Sequence, residues 1–539
     1  MEPCVTVNGC AIMGKTLAAS HEVPRPVDVF YGIPFAQAER FRASQLLDPS
    51  PGMSLRASAP GPSAPFPTAP HNTAESPLTL NVFRPGGRSS SDEEKKMPVV
   101  VYIHGGGFNF GHPLERHLAS MLGWAQEDIM FVAVGYRLGP LGFMAGEDQQ
   151  DEPRNLGLGD QRTAVEWVRK WIGPFGGDAD ALTLMGISAG AHSIGHHMLH
   201  PSPLPFRKAI LESGSATARS TLSAAHPRVA SQLRQLLAQC HGIPLSSIPV
   251  DMLLDAALSV FAQQVPSVSW PFQPVVDNRP GSLLPDTPLN MWADMLSRRG
   301  GAAAAGMSVI TGFCSHEGSS FIRGKASTNE DFRAFFAALI PAMTAADLDA
   351  LEALYPDPVT DSTSPYSNVG FGPPQQRRLY EAYGHYAYIC PILHTAHLLS
   401  RAGARVYVYE YAAVSSPLRT AGHGDHAPVL SHGMVGLRYR PGLAAVADEM
   451  GRRWASFAAA EDGDLRGGWP AFQSPLAGGD GTLLVFGEGN DEAAGGRNPG
   501  VPVRERRLTE RELEQCRFWW DRMELSEGMG ERGSSRLSW

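Results

Sequence analysis

The sequence predicts an α/β fold, in which a mostly parallel central sheet has helices on both faces. Short segments that are apolar throughout, such as residues 98–104 and 129–135, are typical of buried parallel strands. Between such segments the apolar residues recur with helical spacing, most clearly at residues 160–172. Strands that alternate with helices along a chain form parallel sheets, so the order of these segments predicts the fold class.

Further apolar runs predict the remaining strands, at residues 78–83, 181–185, 208–213, 308–312, 405–411 and 482–486. Residues 219–300 and 328–400 have helical patterns without a strand signal, and we expect them to be helical insertions that cap the sheet. A helix at residues 513–523 is expected to close a single domain over residues 1–525. Residues 526–539 form a predicted polar tail.

Composition excludes several classes of partner. The 539 residues carry a formal net charge of −9 and no strongly basic stretch, which argues against nucleic acid and anionic membrane surfaces as partners. No apolar run approaches the roughly 18 residues that span a bilayer, so no membrane span is predicted. The six cysteines lack metal-ligand spacing, and we expect neither a metal nor a cofactor. The first residues lack the basic and apolar regions of a secretory signal, which predicts a cytoplasmic protein.

The motif Gly-x-Ser-x-Gly at residues 186–190 is the strongest local signal. It follows the apolar run 181–185 and precedes a segment compatible with a helix. This strand, turn and helix form the nucleophile elbow of the α/β-hydrolase fold, in which the serine, here Ser188, sits on a strained turn. The flanking glycines are expected because side chains there would collide with the neighbouring strand or helix.

A serine nucleophile requires a base and an acid, which follow it in the order acid, then histidine, in this fold. Glu317 lies just after the strand predicted at residues 308–312, and His423 lies in the loop after the strand at 405–411. Both positions follow carboxyl ends of strands, where α/β sheets bind their ligands. His426 and His432 are alternative bases nearby. A metal cluster of these three histidines is disfavoured, because no further set of ligands is evident.

An oxyanion site is expected in the three glycines that follow His104, directly after the strand at residues 98–104. Glycines let backbone N–H groups approach a developing oxyanion, and the N–H of Ala189 would be a further donor. Phe108 and Phe110 come next and are predicted to line the acyl side of the pocket, which suggests a hydrophobic acyl group.

Several blocks, in order along the chain, resemble those of the type-B carboxylesterase family, the relatives of cholinesterases. They are residues 30–36 (FYGIPFA), 78–83 (LTLNVF), 104–108 (HGGGF), 136–143 (YRLGPLGF), 155–161 (NLGLGDQ), 175–178 (FGGD), 186–190 (GISAG) and 209–214 (AILESG). The resemblance extends to about residue 523. The sequence around His423, together with Asn490, is similar to fungal members.

The resemblance implies a role for each candidate residue. Ser188 would be the nucleophile, Glu317 the acid and His423 the base. The oxyanion N–H groups would come from Gly106, Gly107 and Ala189, and Ser213 would help to orient the triad.

Departures from the family pattern restrict the substrate and the compartment. Ile187 stands where many members have an acidic residue, which points to a neutral, fairly apolar substrate rather than a cation. Ala64 and Pro77 stand where an early family disulfide would be. Cys390 and Cys516 match a second family disulfide, which weakens the cytoplasmic interpretation without reversing it.

These observations favour a serine carboxylesterase that cleaves a small ester through an acyl-enzyme and needs no cofactor. The alternative is a biosynthetic enzyme of secondary metabolism that uses the same triad for acyl transfer, lactonisation or cyclisation of a polyketide-like intermediate. A third possibility is a binding protein without catalysis, although all three triad residues are present. The sequence leaves the acyl acceptor and the oligomeric state open.

Overall fold

The protein is described by a computed structural model that covers residues 2–66, 72–87, 95–144, 154–219, 221–224, 226–264, 268, 270–298, 302–322, 326–367, 372–415, 417–465 and 468–537. Its strands are, in chain order, β1 Cys4–Val7, β2 Cys10–Met13, β3 Lys15–Leu17, β4 Val27–Pro34, β5 Ala36–Gln37, β6 Gln45–Leu46, β7 Ser54–Arg56, β8 Thr79–Pro85, β9 Met97–Ile103, β10 Met130–Val134, β11 Gly177–Ile187, β12 Lys208–Glu212, β13 Leu222–Ser223, β14 Val275–Val276, β15 Ser308–Cys314, β16 Arg405–Tyr411, β17 Thr482–Glu488 and β18 Val501–Arg507. Its helices are α1 Leu118–Trp124, α2 Gly139–Phe143, α3 Leu156–Trp171, α4 Ala189–Leu199, α5 Pro227–Gln239, α6 Val250–Gln264, α7 Pro288–Ser297, α8 Ala302–Ala305, α9 Asn329–Leu339, α10 Ala345–Leu354, α11 Gln376–Gly384, α12 Cys390–Arg401, α13 His426–Leu430, α14 Met434–Leu437, α15 Pro441–Ala459 and α16 Glu510–Trp520.

An eleven-stranded sheet runs in the order β18-β17-β16-β15-β12-β11-β9-β10-β8-β4-β3. The strands from β17 to β10 pair in parallel. Antiparallel pairs add β18 at one edge and β8, β4 and β3 at the other. The predicted α/β fold with a mostly parallel central sheet is therefore confirmed.

The two faces of this sheet are covered by separate apolar clusters, which explains why the central strands are apolar throughout. In β9, Val99 and Val101 pack into the cluster on one face, whereas Val100 and Tyr102 pack into the cluster on the other. A strand that is buried on both faces cannot alternate apolar with polar residues.

Helices dominate both segments that the sequence predicts as insertions, but the first also contains a strand pair. Residues 219–300 hold α5, α6 and α7 together with β13 and β14, which pair in parallel. Two-residue strands are too short to show a periodic pattern. In the second segment α12 contacts β15 and β16, so this helix belongs to the layer that covers the sheet. The division into one domain with two insertions stays a prediction.

The polar segment at the end of the chain lies against the helical segments. The hydroxyl of Ser526 bonds to the Tyr386 hydroxyl at 2.9 Å. Arg532 pairs with Asp347 at 2.7 Å, and Arg536 with Asp294 at 2.8 Å. Both arginines are more than half exposed, and ion pairs at the surface contribute roughly 0–1 kcal/mol each, so these contacts position the segment more than they stabilise the fold.

Within the part of the chain that is described, every helix is too short or too polar to cross a bilayer. The Sγ atoms of Cys390 and Cys516 lie 3.5 Å apart in the core, and both residues are thiols in this structure. The two cysteines that the family resemblance pairs are therefore in contact.

Candidate active site

The predicted site residues meet at the carboxyl edge of the sheet. Ser188 follows β11, Ser213 follows β12 and Glu317 follows β15. His423 lies in the loop between β16 and α13. The four come from neighbouring parallel strands, whose carboxyl ends face the same side of the sheet.

The elbow at Ser188 is strained, as its flanking glycines predict. Its φ and ψ of 54° and −122° are unfavourable for a residue with a side chain. A Cβ on Gly186 would lie 2.6 Å from the carbonyl carbon of Gly190, and a Cβ on Gly190 would lie 2.1 Å from the oxygen of Ile103. The N–H of Ser188 donates to the Glu212 carbonyl at 2.8 Å, which holds the turn against β12.

The carboxylate of Glu317 is fully buried and has three donors around it. Nδ1 of His423 lies 2.5 Å from Oε2. The Ser213 hydroxyl donates to Oε1 at 2.6 Å, and the N–H of Cys314 donates to the same oxygen at 2.8 Å. Burial alone would raise the pKa of Glu317, but the charge on His423 and these hydrogen bonds together hold the pKa below its usual value. An ionised Glu317 can therefore orient the imidazole and stabilise its protonated form.

The other two candidate histidines contact different groups. Nε2 of His426 faces the buried carboxylate of Glu212 at 3.4 Å, and Nε2 of His432 lies 3.0 Å from Asp448. Among the described residues, no group of three His, Cys, Asp or Glu side chains is placed to hold a metal ion.

Ser188 and His423 line one cavity of about 230 Å³. The two side chains therefore face the same space, and the hydrogen bond between a catalytic serine and its base commonly tightens when substrate binds. The rings of Tyr388 and Phe321 pack on His423, with centroid distances of 4.5 Å and 5.0 Å. These contacts restrict the rotation of the imidazole.

The glycine turn after β9 lines the cavity next to the elbow, because a Cβ on Gly105 would lie 3.2 Å from the Cβ of Ser188. Gly106 and Gly107 have φ values of 102° and 59°, in the region that favours glycine. The N–H groups of Gly106, Gly107 and Ala189 donate to no group within the described residues, which leaves them available to an oxyanion. Asn109 braces the turn, because its amide donates to the Gly107 carbonyl at 2.7 Å.

Substituting Gly106 with alanine is expected to lower kcat by about 10²–10³-fold, the usual cost of losing one oxyanion donor. A Cβ there would lie 2.2 Å from the carbonyl oxygen of Phe110, so the turn must shift. Steady-state kinetics with a nitrophenyl ester would measure the loss. Gly436→Ala is the matched control, because no atom lies within 4 Å of its added Cβ. A Gly106→Ala enzyme with unchanged kcat would remove this turn from the oxyanion site.

Aromatic and polar side chains that the sequence reasoning did not single out complete the cavity. They are Glu115, His192, Arg219, Trp270, Gln273, Phe321, Tyr383 and Tyr388. His192 could have been found from sequence, because it lies four residues after Ser188 on the helix of the elbow. Phe108 lines the cavity as predicted, whereas Phe110 packs against Phe261 with a centroid distance of 4.8 Å, outside the lining.

Comparisons with known proteins agree with this geometry. Residues 1–479 match the carboxylesterase family. Secreted lipase 4 of Gibberella zeae is 32% identical over 411 residues, which are 71% of this chain and 70% of the lipase. An acetylcholinesterase of Bungarus fasciatus is 29% identical and covers 74% of this chain and 67% of its own length. The inactive carboxylesterase-like protein VdtD of Byssochlamys spectabilis is 28% identical, over 73% of this chain and 70% of its own.

Solved structures show the same fold. PNB esterase is 25% identical, superposes with a TM-score of 0.74, and covers 96% of this chain and 100% of its own. EstA of Aspergillus niger, at 22% identity, has a TM-score of 0.78 over 98% of this chain and 99% of its own, which supports the fold alone.

The cytoplasmic location predicted from the first residues is wrong, because the lipase that resembles most of this chain is a secreted protein. A secretory leader is removed from the mature protein, so the first residues of a sequence are weak evidence for its compartment. The match over residues 1–479 and the esterase fold together establish the class of the protein. The chain belongs to the carboxylesterase family and is a serine-dependent hydrolase of carboxylic esters.

Proposed function

We propose that Ser188, His423 and Glu317 are the nucleophile, the base and the acid of this hydrolase. The observation that carries the proposal is the buried Glu317 carboxylate, which contacts the His423 imidazole at 2.5 Å beside the strained serine elbow. A buried carboxylate on the far nitrogen of an imidazole sets the tautomer in which the near nitrogen accepts a proton.

The first half of the reaction forms an acyl-enzyme. The Ser188 hydroxyl attacks the ester carbonyl carbon while Nε2 of His423 takes its proton. The negative charge that develops on the carbonyl oxygen is stabilised by the N–H groups of Gly106, Gly107 and Ala189. The C–O bond of the ester then breaks, and the alcohol leaves with the proton that His423 returns.

The second half releases the acid. Water enters the place of the alcohol and gives a proton to His423 as its oxygen attacks the acyl carbon. The bond to Ser188 breaks, and the hydroxyl recovers its proton. Throughout, Ser213 acts as a positioning residue, because its hydroxyl contacts Glu317 rather than the substrate. The related lipase and esterases support hydrolysis over the alternative of acyl transfer, lactonisation or cyclisation.

Labelling with a fluorophosphonate tests the assignment of the nucleophile. We expect one phosphonyl group per folded chain, attached to the peptide that contains Ser188, because only an activated serine reacts readily. Peptide mass spectrometry locates the label, and protein unfolded in denaturant should remain unlabelled. A label on another serine, or none on folded protein, would contradict the proposal.

A further inference from the structure

Several polar side chains interrupt the aromatic wall of the catalytic cavity. Arg219, His192 and Gln273 line the same space as Ser188 and His423. The proposed chemistry uses none of them. Aromatic residues alone would suit the neutral, apolar ester that Ile187 suggests, so these polar groups require a different explanation.

Arg219 is a cation without a carboxylate partner in the described part of the chain. Its guanidinium donates to the Tyr383 hydroxyl at 2.9 Å and, through both terminal nitrogens, to the Val268 carbonyl. Both acceptors are neutral. An arginine keeps its charge in proteins, and a charge in a water-poor site is costly until an anion compensates it.

Two of the buried arginines of this protein are compensated in that way, whereas the buried Arg378 donates to neutral oxygens of Tyr355, Asn329 and Gln375. Arg116 pairs with Glu212, and Arg137 pairs with Asp160 at 2.7 Å. All four of these side chains are at most 2% exposed. Arg219 differs from them because it faces a cavity, where a ligand can supply the missing negative charge.

His192 and Gln273 add unused hydrogen-bonding capacity to the cavity. His192 is 6% exposed, and neither of its ring nitrogens has a partner in the described structure. Burial lowers the pKa of His192 well below its usual value, so the ring is neutral and offers one donor and one acceptor. Gln273 is 7% exposed, and its buried amide oxygen is also without a partner among the described residues. Buried polar groups are rarely left unpaired, which indicates that a ligand completes these bonds.

A carboxyl group also lines the cavity. Glu115 is next to the glycine turn, because a Cβ on Gly111 would lie 3.2 Å from its Oε2. Burial raises the pKa of the Glu115 carboxyl, which favours its neutral form over that of an exposed carboxyl. Arg219 is therefore the charge that attracts an anion in this cavity.

We propose that Arg219, assisted by His192 and Gln273, anchors a free carboxylate on the substrate, so that this enzyme prefers short esters that carry a second, unesterified acid group. A guanidinium is suited to this task, since its planar N–H groups match the two oxygens of a carboxylate. The cavity of about 230 Å³ is smaller than the roughly 300–1,000 Å³ of pockets for drug-sized ligands, which restricts the substrate to short chains. This inference rests on the proposed role of Ser188 as the nucleophile in the same cavity.

Matched pairs of esters test the anchor. Ethyl hydrogen glutarate carries the carboxylate on the acyl side, and 4-acetoxybutanoate carries it on the alcohol side. Each is compared with its neutral carboxamide analogue, which has nearly the same shape. We expect the wild-type enzyme to have a kcat/KM about 10- to 100-fold higher for the acid than for the amide in one pair, the range for hydrogen bonds to a charged group.

Variants of Arg219 link this preference to the anchor. Arg219→Met should reduce the ratio of kcat/KM between acid and amide to about 1, and Arg219→Lys should restore part of it. Arg169→Met is the matched control, because Arg169 is half-exposed and pairs only loosely with Asp180, at 3.9 Å. A wild-type ratio near 1 in both pairs, or a ratio that Arg219→Met leaves unchanged, would overturn the anchor.

Binding without turnover separates failure of the anchor from failure of the proposed function. In a Ser188→Ala background, calorimetry should show that the preferred acid ester binds about 10- to 100-fold more weakly once Arg219→Met is added. If binding depended on Arg219 in this way but Ser188→Ala hydrolysed esters as fast as the enzyme with Ser188 intact, the anchor would be sustained and the nucleophile refuted. If the enzyme hydrolysed the esters that carry a carboxamide, but showed no preference for the acid esters that depends on Arg219, the nucleophile would be sustained and the anchor refuted.

Discussion

Replacing Ser188 with alanine is expected to lower kcat for ester hydrolysis by about 10⁵–10⁶-fold, the loss typical of removing a triad nucleophile. The alanine variant cannot form the acyl-enzyme, although the glycine turn and the cavity remain. Release of nitrophenol from a short-chain nitrophenyl ester would measure the effect. Active-site titration should find no reactive serine.

The control for this variant is Ser54→Ala, because Ser54 is an exposed residue on β7. Both variants should melt within a few degrees of the wild-type protein, since neither removes a core contact. A Ser188→Ala protein that kept more than about one hundredth of the wild-type kcat would contradict the assignment of the nucleophile, because the usual loss is far larger.

Glu317→Gln is expected to lower kcat by about 10⁴-fold, as the loss of the triad carboxylate does in other serine hydrolases. Glutamine has the same shape but no charge, so it no longer stabilises the imidazolium that forms on His423. Its NH₂ group would also face either the His423 nitrogen or the two donors on the opposite oxygen, Ser213 and Cys314. A donor in that place favours the wrong tautomer of the imidazole or leaves buried groups unpaired.

The matched control for Glu317→Gln is Glu505→Gln, because Glu505 is an exposed residue on the edge strand β18. The Glu317→Gln protein should retain phosphonate labelling at a greatly reduced rate, since Ser188 and the oxyanion donors are intact. A Glu317→Gln enzyme within tenfold of wild type would show that Glu317 does not act as the acid, because triad carboxylates contribute far more than that.

The features that could be predicted from sequence are those that local physics encodes. A strand buried on both faces must be apolar throughout, so local runs of apolar residues are enough to predict the parallel strands. The two glycines around Ser188 mark the elbow because no larger residue fits against Ile103 or Gly190. The order of nucleophile, acid and base along the chain then pointed to Glu317 and His423, because each follows the carboxyl end of a strand.

The contacts of the competing histidines, by contrast, needed the tertiary structure. His423 and His426 are three residues apart, so their spacing alone does not say which of them meets Glu317, and the preference for His423 came from the family resemblance. The fold directs His423 to Glu317 and His426 to the buried carboxylate of Glu212, because the turn before α13 presents the two side chains to different strands. The small β13–β14 pair was missed for a related reason, since each strand is stabilised by its partner and not by its own pattern.

The sequence by itself determined the fold class, the serine elbow and the glycine turn, because each depends on residues that are adjacent along the chain. Only the tertiary structure decided which side chains line the cavity around them. Arg219 and His192 lie in separate segments and show no pattern that connects them, and they share one cavity because β11 and β12 are neighbours in the sheet. The charge of a binding site depends on side chains that folding brings together, so the preferred ester depends on contacts that no single stretch of sequence contains.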